Sequence, residues 1–181
     1  MKEKAMHDML TRLYDIPNDW SFIQEQEGKG VAIRKPMGTE KHVIIEWVKK
    51  HFQETWASEV DRSLCHMPMT CFIAVKDKSI IGFASYDSVA LGVFGPTGVL
   101  KDYRGRGTGT ALLLAALLDM KLKGYGYAII GGVGPAEFYR RAVGAEDIPN
   151  STPGLWKNWV ESGEVDKIPG FGGKDSPSQS D

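Results

Sequence analysis

The sequence predicts a single-domain α/β protein, a mixed sheet with helices on its faces. Three observations carry that prediction. Runs of strand character alternate with runs of helical period, in the order β, α, α, β, β, β, α, β, α. A glycine-rich segment joins one strand to the most apolar helix. The chain has 181 residues, 42 % of them hydrophobic, enough for one sizeable core and short for two.

Taken in order, Met6, Met9, Leu10, Leu13 and Tyr14 recur at helical spacing up to Pro17, so residues 1–20 read as an amphipathic helix and a link. The domain proper then spans 21–168. Val31 to Arg34 is a short apolar strand. Thr39 to Phe52 and Glu54 to Leu64 are two helices, with Ile44, Ile45, Trp47 and Val48 inward on the first and Trp56, Val60 and Leu64 on the second. Thr70 to Val75 (TCFIAV) and Ser79 to Ala84 (SIIGFA) flank the polar turn Lys76-Asp77-Lys78, which makes a hairpin. Asp87 to Leu100 continues as strand, bent or bulged at Gly95-Pro96. Thr110 to Lys123 carries Leu112, Leu113, Leu114, Leu117, Leu118 and Met120, a buried helix that stops at Gly124. Tyr127 to Ile130 (YAII) is a further strand, and Pro135 to Val143 a short helix with proline in its first turn. From Pro169 the chain reads PGFGGKDSPSQSD, which has little to fill a core, so 169–181 reads as a disordered tail.

Composition narrows the function classes. Lys plus Arg (22) nearly balances Asp plus Glu (23), and a net charge of −1 gives no global pull toward nucleic acid or an anionic membrane. The tryptophans Trp20, Trp47, Trp56, Trp156 and Trp159 are scattered without interleaved basic clusters, so base stacking is unsupported. No apolar run of transmembrane length and no signal peptide occur, and the only cysteines are Cys65 and Cys71; a cytoplasmic protein is the expectation. Cys65-His66 with Cys71 lacks paired metal-ligand spacing, so no metal is expected. Cys71 reads as core and Cys65 as a loop thiol. No G-x-S-x-G nucleophile elbow is present.

The informative stretch is Asp102 to Leu113, DYRGRGTGTALL. It lies between a strand and a helix start, where backbone N–H groups lack partners and the helix dipole is positive, a ready anion site. Glycines let the main chain approach phosphate oxygens, and Arg104 and Arg106 supply charge-assisted hydrogen bonds. A phosphate or pyrophosphate fits. No Lys follows these glycines as a nucleotide P-loop needs, and Thr110 stands where the dinucleotide fingerprint wants its last Gly. What does fit is R-x-x-G-x-G at Arg104, Gly107 and Gly109. Here the sequence resembles the GCN5-related N-acetyltransferases (GNAT), which bind acetyl-CoA, over about Val31 to Val143.

That resemblance implies a mostly antiparallel sheet with splayed central strands, and acetyl-CoA as cosubstrate. In similar proteins the strand before the glycines pairs its main chain with the pantetheine arm; here that strand is Thr97, Gly98, Val99 and Leu100. The N–H of Val99 or Leu100 would then face the thioester carbonyl oxygen. The N–H groups of Gly105, Arg106, Gly107, Thr108, Gly109 and Thr110 would wrap the pyrophosphate. The family's usual proton donor to the departing thiolate is a Tyr on the short helix after the fifth strand, which makes Tyr139 the catalytic acid candidate.

The sequence departs from the family in three places. Gly131 to Pro135 (GGVGP) replaces a common Asn, the turn after Tyr139 is one residue longer, and the cofactor strand carries no Glu to serve as base. Asp87, Glu59, Asp61 and His66 are the substitutes on offer, beside a water chain. By the same resemblance Phe52, Glu54, Trp56, Glu59, Asp61, Asn150, Ser151 and Trp156 line the acceptor side, although Trp56 and Val60 also fit an ordinary buried stripe. The expected partner is a small-molecule amine, with a homodimer through the last strands or the N-terminal helix as a further possibility. The alternative function is a non-catalytic acyl-CoA-binding sensor or interaction module, which the missing strand Glu supports.

Overall fold

The computed structural model describes residues 7–160. The first half runs β1 (Met9–Arg12), α1 (Ser21–Glu27), β2 (Ala32–Arg34), α2 (Lys41–His51), α3 (Glu54–Leu64), β3 (Cys71–Lys76) and β4 (Ser79–Tyr86). The second runs β5 (Val93–Val99), α4 (Thr108–Leu122), β6 (Tyr127–Ile130), α5 (Ala136–Val143) and β7 (Glu146–Asp147). One sheet of seven strands results, in the order β2-β3-β4-β5-β6-β1-β7. Every neighbouring pair is antiparallel except β5 and β6, which run parallel. The mixed α/β fold with flanking helices is therefore as the sequence predicts.

Two cores sandwich the sheet. α2 and α3 cover one face, burying Ile44, Val48 and Val60 against Ile73 and Phe83. α4 covers the other; Leu112, Leu113 and Leu117 are fully buried there against Phe72, Ala84 and Phe94. α4 is apolar on most sides because the sheet, α1 and the turn after β1 pack around it. The β3–β4 hairpin closes through Asp77 and Lys78, both at positive φ (50° and 62°), the two-residue turn whose twist matches that of the strands.

The N-terminal segment corrects the sequence reading. Met9–Arg12 is not helical but a strand, inserted between β6 and β7, with Met9 opposite Ile130 and Asp147. Met9 and Thr11 point into the core and Leu10 and Arg12 outward, a period of two that four residues cannot distinguish from a helical stripe. A helix available for dimerisation is thus absent from Met9–Arg12; Met6 and the tail 169–181 lie outside the described residues. A second correction concerns Asp87 to Gly92, which is a loop rather than strand. Asp87 sits at φ 56° and its Oδ1 accepts the Gly92 N–H at 2.7 Å.

Candidate active site

The site begins where two strands part. β5 and β6 pair only at Val93 with Ile129 and Phe94 with Ile130; beyond Ile130 the second strand ends and the rest of β5 has no neighbour on that edge. The other edge is held by β4, with Gly82 opposite Val99, Phe83 opposite Gly98 and Ala84 opposite Thr97. Leu100 N–H donates to Ile81 C=O at 2.9 Å, so in the antiparallel alternation Gly98 also faces β4, and Thr97 and Val99 direct their backbone groups into the opening. Val99 C=O is taken by Arg104 Nε–H at 2.9 Å. Of the two N–H groups proposed from sequence to face a carbonyl, Leu100 is therefore engaged elsewhere and Val99 remains.

Downstream lies the glycine loop. Gly105 and Gly107 adopt φ of 76° and 83°, a region that favours glycine, and nothing lies within 4 Å of a Cβ built at Gly105. The first intrahelical bond is Ala111 N–H to Gly107 C=O, so the amides of Thr108, Gly109 and Thr110 precede the ladder and are free to receive an anion. The loop is braced from behind by a residue the sequence reading missed. Gln26 on α1, 2 % exposed, accepts Thr108 Oγ1–H at 2.9 Å and donates to Arg106 C=O at 3.3 Å, while Lys29 donates to the same carbonyl at 3.1 Å. Gln26 lies four residues after Phe22 on α1, and its partners are distant in sequence, so no local signal marked it.

A cavity of about 440 Å³ continues from this loop, between Thr110 on α4 and Glu137, Phe138, Arg141 and Ala142 on α5. Tyr139 is on the same short helix. Its ring packs on Phe94, centroids 6.3 Å apart, at the last paired rung of β5, and burial pushes its phenol up to about 12. Tyr139 is therefore a protonated group at neutral pH, standing where the two strands diverge.

The opposite face of β5 carries an aromatic wall. A Cβ built at Gly98 would lie 2.5 Å from Phe52 Cε1. Phe52 stacks on Trp56 (5.5 Å, 26°) and meets Trp47 at 5.6 Å and Phe83 at 5.5 Å. Phe83 is buried; Trp47, Phe52 and Trp56 are half-buried.

The four candidate bases separate. Asp87 is 3 % exposed and spends its carboxylate on Gly92 N–H and Tyr125 Oη–H (2.9 Å), pinning a loop. His66 lies beside Met67, Asp87, Lys123 and Tyr125, at the far end of α4 from the glycine loop. Asp61 pairs with Lys41 at 2.8 Å. Of the three carboxylates, Glu59 is the one that is half-buried without an ion pair or hydrogen bond among the described residues, and burial raises it to about 7. Of the other acceptor-side candidates, Glu54 pairs with Lys49, and Ser151 Oγ accepts Asp8 N–H and donates to Ile148 C=O, an anchor for β1. Cys71 is buried and its thiol raised to about 12 by desolvation, whereas Cys65 is exposed and accepts from Lys41 Nζ at 3.0 Å. Among the described residues no three of His, Cys, Asp and Glu gather as a metal would require, and no helix is long and apolar enough to cross a membrane.

Solved structures of similar fold include the glucosamine N-acetyltransferase region of a fungal multi-domain GH3 β-N-acetylglucosaminidase (15 % identity, TM-score 0.65, covering 82 % of this chain and 20 % of that one). A GCN5-related N-acetyltransferase of Sphaerobacter thermophilus matches at 22 % identity and TM-score 0.59, over 80 % of this chain and 50 % of that one. A GNAT family acetyltransferase of Brucella melitensis, solved with acetyl-CoA, matches at 19 % and 0.51, over 65 % of this chain and 86 % of that one. The chain thus spans 20 % and 50 % of the length of the first two. No curated protein matches the sequence. The model of the Acetyltransferase (GNAT) family matches residues 41–144, more than half of the 181, and the chain belongs to that family.

Proposed function

We propose that the protein transfers the acetyl group of acetyl-CoA to a primary amine of a small molecule, by direct attack within a ternary complex. The observation that carries this reading is the opening between β5 and β6 directly upstream of a glycine loop with unengaged amides. The residues present fit the donor. The pyrophosphate takes the amides from Gly105 through Thr110, with the guanidiniums of Arg104 and Arg106 nearby. The pantetheine arm pairs with Thr97 and Val99 as an added strand would. Val99 N–H donates to the thioester oxygen and stabilises the oxyanion, an effect of about 2.7–4 kcal/mol for such a preorganised donor. Tyr139 protonates the departing thiolate. Two unpaired cysteines and an acetyl-CoA requirement suit the cytoplasm.

Calorimetric titration with acetyl-CoA tests the donor site, beside the same titration of Gly107→Glu, which places a carboxylate at φ 83° in the anion cradle. Micromolar binding lost in the variant supports the reading, and absence of binding in the wild type overturns it. The second reading, a coenzyme-binding sensor, is favoured by the lack of a carboxylate on β5; binding without CoA thiol release from any amine selects it.

A further inference from the structure

The acceptor side of the opening has a chemistry of its own. Gly98 turns its missing Cβ toward Phe52, so the aromatic wall stands against the residue before Val99, across the strand from α4. α3 packs against β5 and carries Glu59, a half-buried carboxylate with no ion pair or hydrogen bond among the described residues. On that helix Glu59 and Asp61 lie roughly 160° apart around the axis. Asp61 faces α2 through Lys41, so Glu59 occupies the flank away from α2, one turn beyond Trp56.

Several polar groups near this face are already satisfied within the protein. Ser63 Oγ donates to Val60 C=O, Thr97 Oγ1 to Phe83 C=O and Ser85 Oγ to Pro96 C=O, and Glu54 is held by Lys49. A sugar would find rings but few partners for its hydroxyls, and leaving those unpaired costs affinity. A polyamine would find one free carboxylate where it needs several. A single cation attached to a flat apolar body meets both features of the face: rings to lie on and one charge to neutralise.

We propose that the acceptor is a primary arylalkylamine, whose rings lie on the wall of Phe52 and Trp56 while its ammonium pairs with Glu59 and gives that carboxylate a proton. This rests on the acetyl-transfer reading above. The ammonium N–H bond breaks and its proton goes to Glu59; the freed nitrogen pair forms the new C–N bond, and the carbonyl π pair moves to the oxygen facing Val99 N–H. On collapse the C=O re-forms and the C–S bond breaks with its pair on sulfur, which takes a proton from Tyr139. The nitrogen sheds its second proton, Tyr139 is reprotonated, and Glu59 returns its proton to solvent. The balance is ammonium plus thioester to amide, thiol and one proton. A carboxylate raised to about 7 by burial is matched to that exchange.

The test measures CoA thiol release by the full chain at saturating acetyl-CoA with tryptamine, spermidine and glucosamine. The expected result is a kcat/KM for tryptamine at least about tenfold above the other two. Glu59→Gln should lower it by about 10²-fold with the acetyl-CoA Kd unchanged, which also shows the variant is folded, and Glu59→Asp should recover part of the loss. Trp56→Ala should raise KM for tryptamine more than it lowers kcat. Preference for spermidine or glucosamine, or a Glu59→Gln variant within about twofold of wild type, overturns the proposal. Acetyl-CoA binding with no tryptamine turnover overturns it while sparing the donor site; no acetyl-CoA binding overturns both.

Discussion

Replacing Gly98 with alanine probes the contact between the opened strand and the aromatic wall. The added Cβ would lie 2.5 Å from Phe52 Cε1 and 2.6 Å from Cζ, distances that folded proteins do not tolerate, so the ring must move. Three rings within 5.5–5.6 Å hem it in. Overpacking of this kind costs about 1–3 kcal/mol, and the half-exposed position of Phe52 places it near 2 on that scale. Against this, Gly98 is not at positive φ, so alanine removes unfolded-state freedom and contributes about 0.5–1 kcal/mol of stability. Overpacking wins by about 1–1.5 kcal/mol, equivalent to a Tm roughly 2–6 °C lower. Urea unfolding followed by tryptophan fluorescence reads the change, since Trp47 and Trp56 belong to the wall. In a Phe52→Leu background the ring end is gone and Gly98→Ala should instead stabilise by about 0.5 kcal/mol. A neutral Gly98→Ala in the wild-type background, or the same loss in both backgrounds, would refute the steric argument.

Tyr139→Phe removes a phenolic proton beside the divergence of β5 and β6 and should lower kcat by about 10²-fold or more, with the calorimetric Kd for acetyl-CoA unmoved. Gln26→Leu removes one of the two donors to Arg106 C=O and releases Thr108 Oγ1, so steady-state kinetics should show KM for acetyl-CoA raised about fivefold and kcat nearly constant. Glu40 is paired bidentately with Arg34 and held down to about 2, against an ordinary 4.5. Its folded value lies below its unfolded one, so the pair stabilises above about pH 4.5 and loses that contribution as pH falls toward 2. After allowance for solvent screening, Glu40→Gln should cost about 1 kcal/mol at pH 6 in urea unfolding and nearly nothing at pH 2.5.

Legibility followed the length and regularity of each element. The hairpin turn, α4 and β6 could be read because their signals are local: paired β-rich runs, a long Leu stripe, a bounded YAII. The splay was implied by the family resemblance that R-x-x-G-x-G carries and is visible as the end of β6 at Ile130. What escaped depends on distant partners. Met9–Arg12 is a strand because β6 and β7 offer edges to it, which four residues cannot announce. α1 escaped because its inward side is Phe22 plus a polar Gln26, buried only by virtue of Thr108 and Arg106 some 80 residues on. Among the candidate bases, sequence could name four carboxylate or imidazole groups but not their partners. Pairing with Lys41, or with Gly92 and Tyr125, distinguishes Asp61 and Asp87 from Glu59.

The insertion of β1 between β6 and β7 bears on how the protein assembles. The block from α2 through α4 is contiguous in sequence, and its hairpins and helix contacts form between near neighbours. β1 precedes the other described strands, yet both its partners come from the last third of the described chain, so its pairing closes the longest loop in the sheet. The opening between β5 and β6 is therefore the seam between a half built on short-range contacts and one closed by long-range pairing. A molecule bound across that seam favours the joined state by mass action, so the acetyl donor should also act as a folding ligand, slowing unfolding as its concentration rises past its Kd.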